Sequence, residues 1–260
     1  MDASNTRSAT IQAIILTSQR TGSTFLVECL DSHPGVVCGD ELLIGMHTRV
    51  PKPLLRFKYA AKAWRYAAAR AWFPVALMDR YFETTKAPVV AFKAMYSQVD
   101  NRAVRRYLRD RTDIRIIHLR RDNLLKQYVS RVLLRKKRGT KDRPWRAHVT
   151  SRVPSVSTRI SPPKAIAAMR KLRDQYRDFD ALVSRHRKIE LVYERMFGSG
   201  TLSREAWDAV GELLELGPAN VSSDLVKLNP TSLRAMVENY DELAAALAGT
   251  EFERHLDPIA

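Results

Sequence analysis

The chain has 260 residues, of which 45% are hydrophobic, so a sizeable core can form and global disorder is excluded. Lysine and arginine number 44 against 28 acidic residues, giving a formal charge of +16. Such an excess indicates an anionic partner: a nucleotide, a nucleic acid, an acidic glycan or a membrane surface. Cys29 and Cys38 have no metal-ligand spacing and form no disulfide framework, which favours a reduced, cytoplasmic protein.

The ends and the apolar stretches of the sequence favour one domain without a targeting segment. The first nine residues contain no apolar run of the kind found in signal peptides. The most apolar stretch, 59–82, is interrupted by charged residues, so we expect no transmembrane span. The length predicts a single domain over 1–260.

Short apolar runs alternate with amphipathic segments along the chain. Strands are predicted at 11–17, 36–38, 88–93, 113–119 and 188–193, and helices at 23–30, 53–82, 123–136, 163–187 and 231–248. A basic, turn-rich stretch at about 138–163 is predicted to form a loop. The alternation predicts an α/β fold with a P-loop-like central parallel sheet of about five strands flanked by helices. Ligands of such sheets bind at the carboxyl ends of the strands.

The loop after the first strand is predicted to bind a phosphate. At a helix N-terminus the first backbone amides lack intrahelical partners, and the helix dipole favours an anion there. Gly22 allows close approach of the backbone, and Arg20 supplies a forked positive charge. Three neighbours, Thr21, Ser23 and Thr24, add amide and hydroxyl donors. An ordinary capped turn is the alternative, whereas the NTPase motif Gly-x-x-x-x-Gly-Lys-Ser/Thr is not matched.

Two segments carry a family resemblance. The run 18–25, SQRTGSTF, resembles the 5′-phosphosulfate loop of sulfotransferases that use 3′-phosphoadenosine 5′-phosphosulfate (PAPS), and is most similar to bacterial carbohydrate enzymes of the nodulation-factor and trehalose type. The run 118–130, HLRRDNLLKQYVS, resembles the element whose arginine and serine reach the 3′-phosphate. Arg121 and Ser130 match these roles, and Arg120 stays an alternative, because both arginines stand further from the serine than is usual in the family. Weaker similarities lie at 33–43, 91–96, 191–194 and 227–240.

The resemblance implies transfer of the PAPS sulfuryl group to a hydroxyl of a carbohydrate, a glycolipid or another small acceptor, without a metal. It implies that Arg20 contacts the bridging and leaving phosphate oxygens and that Lys227 helps to hold the nucleotide. In-line transfer depends mainly on positioning and charge stabilisation. The fold and chemistry expected are therefore those of a PAPS-dependent sulfotransferase.

The acceptor hydroxyl also needs a base within hydrogen-bond reach. Glu41, after the second strand, is the first candidate, and a first-turn helix carboxylate is its structural alternative. His33 is a second catalytic candidate, although a histidine in a His-Pro turn also has a purely structural interpretation. Asp40 and His47 are further candidates for acceptor contacts. Lys93, at the end of the third strand, could face the sulfuryl group.

The basic residues between 131 and 152 form either a solvated face or an electrostatic funnel for PAPS or an acidic acceptor. Trp145 could pack on a sugar ring there. Trp64 and Trp72 leave peripheral membrane contact open beside a core-facing aromatic stripe. A nucleic-acid-binding protein fits the charge but no motif, and a kinase-like transferase would need the missing lysine loop and magnesium ligands. No sequence pattern identifies the acceptor or the oligomeric state.

Overall fold

The computed structural model of the chain describes residues 10–43, 73–138, 157–198, 200–225 and 232–257. Five strands form one sheet in the order β2-β3-β1-β4-β5, and all neighbouring strands are parallel. The strands are β1 (Ile11–Thr17), β2 (Val36–Glu41), β3 (Val89–Met95), β4 (Arg115–Arg120) and β5 (Lys188–Val192). This arrangement confirms the predicted α/β fold class with its central parallel sheet.

Helices cover the sheet on both faces. They are α1 (Ser23–Asp31), α2 (Pro74–Thr84), α3 (Tyr96–Val99), α4 (Arg102–Asp110), α5 (Leu124–Arg138), α6 (Pro162–Leu182), α7 (Tyr193–Met196), α8 (Arg204–Leu214) and α9 (Tyr240–Leu247), with a 3₁₀ turn at Glu253–His255. None of the helices in the described ranges is long and apolar enough to cross a membrane.

The core explains why the central strands lack polar alternation. Every residue of β3 is buried, as are the last five residues of β1, because side chains on both faces of a parallel sheet are covered by helices. On one face, Ala13 and Ile15 pack with residues of α1 and α8. On the other face, Ile14 and Leu16 pack with residues of α2, α4 and α6. Because both faces of the sheet are covered, the charged and hydroxyl side chains of the loops lie at the ends of the strands.

Two predicted helices are shorter than the sequence pattern indicated. Helix α6 ends at Leu182 rather than at 187, because the His186 ring contacts the backbone carbonyls of Leu108 and Ile114 at 2.7 Å each and turns the chain towards β5. Within the predicted helix 231–248, α9 begins only at Tyr240, since Val237 forms a bridge with Thr158.

The remaining boundaries differ by fewer residues. Strand β2 continues to Glu41 instead of stopping at 38. Of the predicted helix 53–82, the described part starts at 73, and α2 runs from Pro74, a residue suited to a first helical turn. Most of the predicted basic loop lies outside the described residues, and its last residues already belong to α6.

Candidate functional site

The loop between β1 and α1 has an unusual backbone that its sequence explains only in part. Gly22 has φ 77°, and Arg20, a residue with a Cβ, has φ 68°. Left-handed backbone is costly for a non-glycine residue and persists only where surrounding contacts hold it. The loop therefore depends on specific neighbours for its shape.

Threonine hydroxyls lock the inner side of this loop. Thr17 donates to the Leu119 carbonyl at 2.7 Å, and the Thr17 and Thr21 hydroxyls also lie 2.7 Å apart. Thr21 in addition donates to the Ser18 carbonyl at 3.0 Å. Both threonines are fully buried. Of the predicted donors, Thr21 thus contributes its hydroxyl to the loop itself.

The N-terminus of α1 has the chemical features of an anion-binding site. Gly22 is the N-cap, so no side chain caps the first amides, and the first turn contains no acidic residue. An uncapped helix start with a positive dipole end is the ordinary anion site of α/β proteins. Ser23, the first residue of α1, is buried.

Gly22 is also confined by aromatic rings. A Cβ at this position would lie 2.9 Å from Tyr193 Cδ2 and 3.0 Å from Phe197 Cζ. Tyr193 starts α7, directly after β5, so the end of β5 packs against the loop after β1. Any larger residue at 22 would have to displace these rings.

A buried polar layer from α5 and α6 supports the same loop. Gln127 donates to the Ser18 hydroxyl and to the Gln19 carbonyl at 2.7 Å each. Tyr176 in turn donates to Gln127 at 2.9 Å. Sequence reasoning missed both side chains. The available signal was that Gln127 stands three residues before Ser130, which places the two on one helix face.

The structure brings together the residues predicted for two separate phosphates. Arg20 Nε donates to the Ser130 hydroxyl oxygen at 3.0 Å, and Ser130 is buried. Arg121 Nη1 donates to the Arg20 carbonyl at 3.3 Å. The Arg121 guanidinium lies over the Tyr193 ring, 4.3 Å from its centroid, and its Nε is 3.4 Å from a Glu194 oxygen. One compact cluster therefore contains Arg20, Arg121 and Ser130.

The two arginines left open by the sequence have different surroundings. Arg120 forms ion pairs with Asp122 and with Glu190, whose Oε1 is 2.7 Å from Arg120 Nε. Arg121, the next residue, contacts the loop instead. Arg121 rather than Arg120 is thus the one beside Arg20.

A second group of predicted residues meets at the carboxyl ends of β2 and β3. Lys93 is 2% exposed, and its Nζ donates to the Thr24 hydroxyl at 3.2 Å. The same nitrogen forms ion pairs with Asp40 and, at 3.6 Å, with Glu41. The buried ammonium joins the first turn of α1 to the end of β2, so Glu41 and Thr24 both lie next to the same charge.

Glu41 has a further partner that the sequence did not suggest. Gln98 of α3 donates from Nε2 to Glu41 Oε2 at 2.8 Å. The Gln98 oxygen accepts from the Met95 backbone amide at 2.9 Å, so the amide is fixed in orientation. The carboxylate is therefore held on both oxygens, by Gln98 and by Lys93.

His33, the second catalytic candidate, lies elsewhere in the fold. It follows the C-terminus of α1 and precedes β2, so it stands at the amino edge of the sheet, opposite Arg20 and Glu41. Its Nδ1 accepts from the Gly35 amide at 3.0 Å, and its ring packs 5.7 Å from Trp207. These contacts give His33 the structural role of closing a turn. Lys227, His47, Trp64, Trp72 and Trp145 lie outside the described residues.

Comparison with known proteins gives a match in structure only. No protein-family model matches the chain, and no curated protein matches it in sequence. A solved structure, the sulfotransferase from Alicyclobacillus acidocaldarius, matches over 96% of this chain and 98% of its own, with a TM-score of 0.50 and 14% identity. The chain thus has the fold of that sulfotransferase.

Proposed function

We propose that the chain is a sulfotransferase that moves the sulfuryl group of PAPS to a hydroxyl of a carbohydrate or another small acceptor. The observation that carries the proposal is the cluster of Arg20, Arg121 and Ser130 around the uncapped start of α1. The loop after β1 and the arginine–serine element after β4 each resemble a segment of PAPS enzymes, and they come together at one edge of the sheet. The fold shared with a known sulfotransferase adds independent support.

The 5′-phosphosulfate is assigned to the amides at the start of α1. Gly22 offers no side chain there, and Arg20, two residues earlier in the same loop, supplies a guanidinium. The 3′-phosphate is assigned to Ser130 and Arg121. Because Arg20 and Ser130 are in hydrogen-bond contact, the two subsites are close enough for the two phosphates of one ribose. Arginine is suited to both, since it stays charged and offers several donors.

The acceptor is assigned to the side of Glu41. Its hydroxyl oxygen would attack the sulfur in line while the bond from sulfur to the 5′-phosphate oxygen breaks. The electron pair of that bond stays on the phosphate, and the hydroxyl proton passes to a Glu41 oxygen. Arg20 and Lys93 would balance the charge that develops on the leaving oxygen and the sulfuryl group. Gln98 keeps Glu41 in place through the step.

Calorimetric titration with adenosine 3′,5′-bisphosphate tests the nucleotide site, with AMP and ATP–magnesium as competing ligands. Wild type should bind the bisphosphate selectively. Arg20→Ala should lower the affinity for the bisphosphate by about tenfold or more, because a charge-assisted contact is lost. Arg204→Ala, at a 95% exposed position on α8, is the matched control and should bind as wild type does. Equal binding of ATP–magnesium would favour the kinase-like alternative instead, and strong salt-dependent binding of DNA the nucleic-acid alternative.

A further inference from the structure

A groove outside the nucleotide site runs between α2 and α4. Its volume is about 690 Å³. Val75 of α2 lines one wall, and Arg102, Ala103, Arg106, Tyr107 and Asp110 of α4 line the other. We call it the α2–α4 groove.

The groove opens at the edge of the sheet where Glu41 lies. Strand β3 ends there at Met95, α3 carries the Glu41 partner Gln98, and α4 begins at Arg102, four residues beyond Gln98. Helix α2 leads into the amino end of β3, so its own first turn, with Val75, is at the same carboxyl edge. A ligand in the groove could therefore extend towards the proposed base.

Helix α4 has more positive charge than its neighbours balance. Four of its nine residues are arginines. Arg105 pairs with Asp178 at 2.9 Å, whereas Arg102, Arg106 and Arg109 make no ion pair with any residue in the described ranges. Arg102 and Arg106 are one helical turn apart and both face the groove, where like charges at this spacing repel each other. An anion bound between them would remove that repulsion.

The other lining groups fit a sugar ring better than a bare ion. Val75, Ala103 and the Tyr107 ring form an apolar wall, and the Tyr107 hydroxyl is already used, donating to Asp79 at 2.6 Å. The Asn101 oxygen caps α4 by accepting from the Ala103 amide at 2.9 Å, which leaves its amide nitrogen as a donor. Asp110 at the far end can accept from hydroxyls. Sugars carry both apolar faces and many hydroxyls, and sugar acids add a carboxylate.

We infer that the α2–α4 groove binds an acidic saccharide, with a carboxylate between Arg102 and Arg106. The assignment of this saccharide as the sulfuryl acceptor rests on the proposed function, while its binding does not require the nucleotide. Bidentate contacts between arginine and carboxylate give such a site its orientation as well as its affinity.

Calorimetry without nucleotide tests the inference, using tetragalacturonic acid as the acidic probe and maltotetraose as its neutral counterpart. Wild type should bind the acidic probe and not the neutral one. The double variant Arg102→Gln/Arg106→Gln should bind the acidic probe at least about tenfold more weakly than wild type does. Arg109→Gln is the matched control, because Arg109 is an exposed arginine of the same helix that does not line the groove. It should change the affinity by less than about twofold.

Two results would overturn the inference: an equal loss in Arg109→Gln, which would mean attraction to the overall charge, or equal binding of the two saccharides. Circular dichroism of the exposed-site variants checks that they are folded. The nucleotide titration uses adenosine 3′,5′-bisphosphate and the Arg20 variant, whereas the saccharide titration uses neither. A wrong assignment of the nucleotide site and a wrong assignment of the groove are therefore detected by different experiments. Loss of one leaves the other measurement intact.

Discussion

The Nε of Arg20 donates to the hydroxyl oxygen of Ser130 at 3.0 Å, a contact that joins the loop after β1 to the middle of α5. Arg20 holds a left-handed backbone at this point, and its carbonyl accepts from Arg121. Both ends of the residue are thus fixed, so the guanidinium is positioned before any ligand arrives. Positioning of this kind lowers the ordering cost of binding an anion.

Replacing Ser130 with alanine should separate the two proposed phosphate subsites. The 3′-phosphate loses a hydroxyl donor, so Ser130→Ala should bind adenosine 3′,5′-bisphosphate about fivefold to tenfold more weakly. AMP has no 3′-phosphate, so its affinity should change much less. Calorimetry with both nucleotides makes the comparison. An equal loss for both would show that Ser130 acts only by holding the loop.

Arg121 and Arg120 form a natural matched pair. Arg121→Ala should weaken bisphosphate binding by about tenfold or more, because it removes a guanidinium beside Arg20. Arg120→Ala should leave that affinity almost unchanged, since Arg120 is engaged with Asp122 and Glu190. The reverse order of the two effects would assign the 3′-phosphate to Arg120.

Gly22→Ala should destabilise the fold through two effects. Alanine at φ 77° costs about 1 kcal/mol or more. Its Cβ would also stand 2.9 Å from Tyr193, and overpacking of this kind adds about 1–3 kcal/mol. Urea unfolding measures the sum.

Gly249→Ala separates these effects. Gly249 has φ 69°, but its Cβ would have no neighbour within 4 Å, so the variant reports the backbone cost alone. Gly22→Ala should therefore be the more destabilised of the two, by about 1 kcal/mol at least. Equal losses of stability would contradict tight packing of Tyr193 on the loop.

Glu41 and Gln98 should affect the rate and not nucleotide affinity. If Glu41 takes the acceptor proton, Glu41→Gln should lower kcat by about 10²–10⁴-fold. Gln98→Leu removes the donor to Glu41 Oε2 and should lower kcat by a smaller factor, with the bisphosphate affinity unchanged in both variants. Initial rates with labelled PAPS and calorimetry of the product nucleotide give the two quantities. A full rate in Glu41→Gln would point to Asp40 as the base.

His255 should make the fold sensitive to mild acid. Burial, together with the charge of Arg254, lowers the pKa of His255 from 6.5 to about 4. Below pH 6.5 the unfolded chain binds this proton and the folded chain does not, so stability falls as the pH drops from about 6.5 to about 4. The loss reaches up to about 3 kcal/mol over that window, at about 1.4 kcal/mol per pKa unit.

Urea unfolding at pH 7 and pH 5 measures this effect, with His255→Gln as the variant that cannot titrate. The variant should lose less stability than wild type between the two pH values. Some dependence should remain, because burial also lowers the pKa of His118. An unchanged pH dependence in His255→Gln would show that its pKa is not lowered in the fold.

The sequence was most informative about features that are formed by residues close together in the chain. The run at 11–17 predicted β1 to the residue, since a strand covered on both faces is apolar throughout. Arg20 and Ser130 each lie in a segment that resembles an element of PAPS enzymes, although nothing in the sequence indicated that the two side chains are in contact. By contrast, Arg120 and Arg121 could not be separated, because the direction of each side chain depends on where β4 ends. The sequence also could not show on which edge of the sheet His33 lies, since closeness along the chain to Arg20 conceals the length of α1 between the two edges.

Long-range polar contacts were beyond the sequence for a similar reason. Gln98 meets Glu41 across 57 positions, and Tyr176 meets Ser18 across 158. Glutamine and tyrosine occur in many solvent-exposed and buried settings, so neither residue type predicts such a partner. The strand order, which places β3 beside β2, brings Gln98 to Glu41, and the packing of α6 on β1 brings Tyr176 to Ser18.

The order β2-β3-β1-β4-β5 has a consequence for how this protein could diversify. Glu41, Lys93 and Gln98 come from strands and connections on one flank of β1, and Arg121, Ser130 and Tyr193 from those on the other. Under the proposed function, the donor nucleotide and the acceptor bind to residues from separate halves of one sheet. Mutational drift on the β2–β3 flank could then retarget the enzyme while its donor stays constant, and a chimaera that exchanges only that flank would be the natural starting point for engineering.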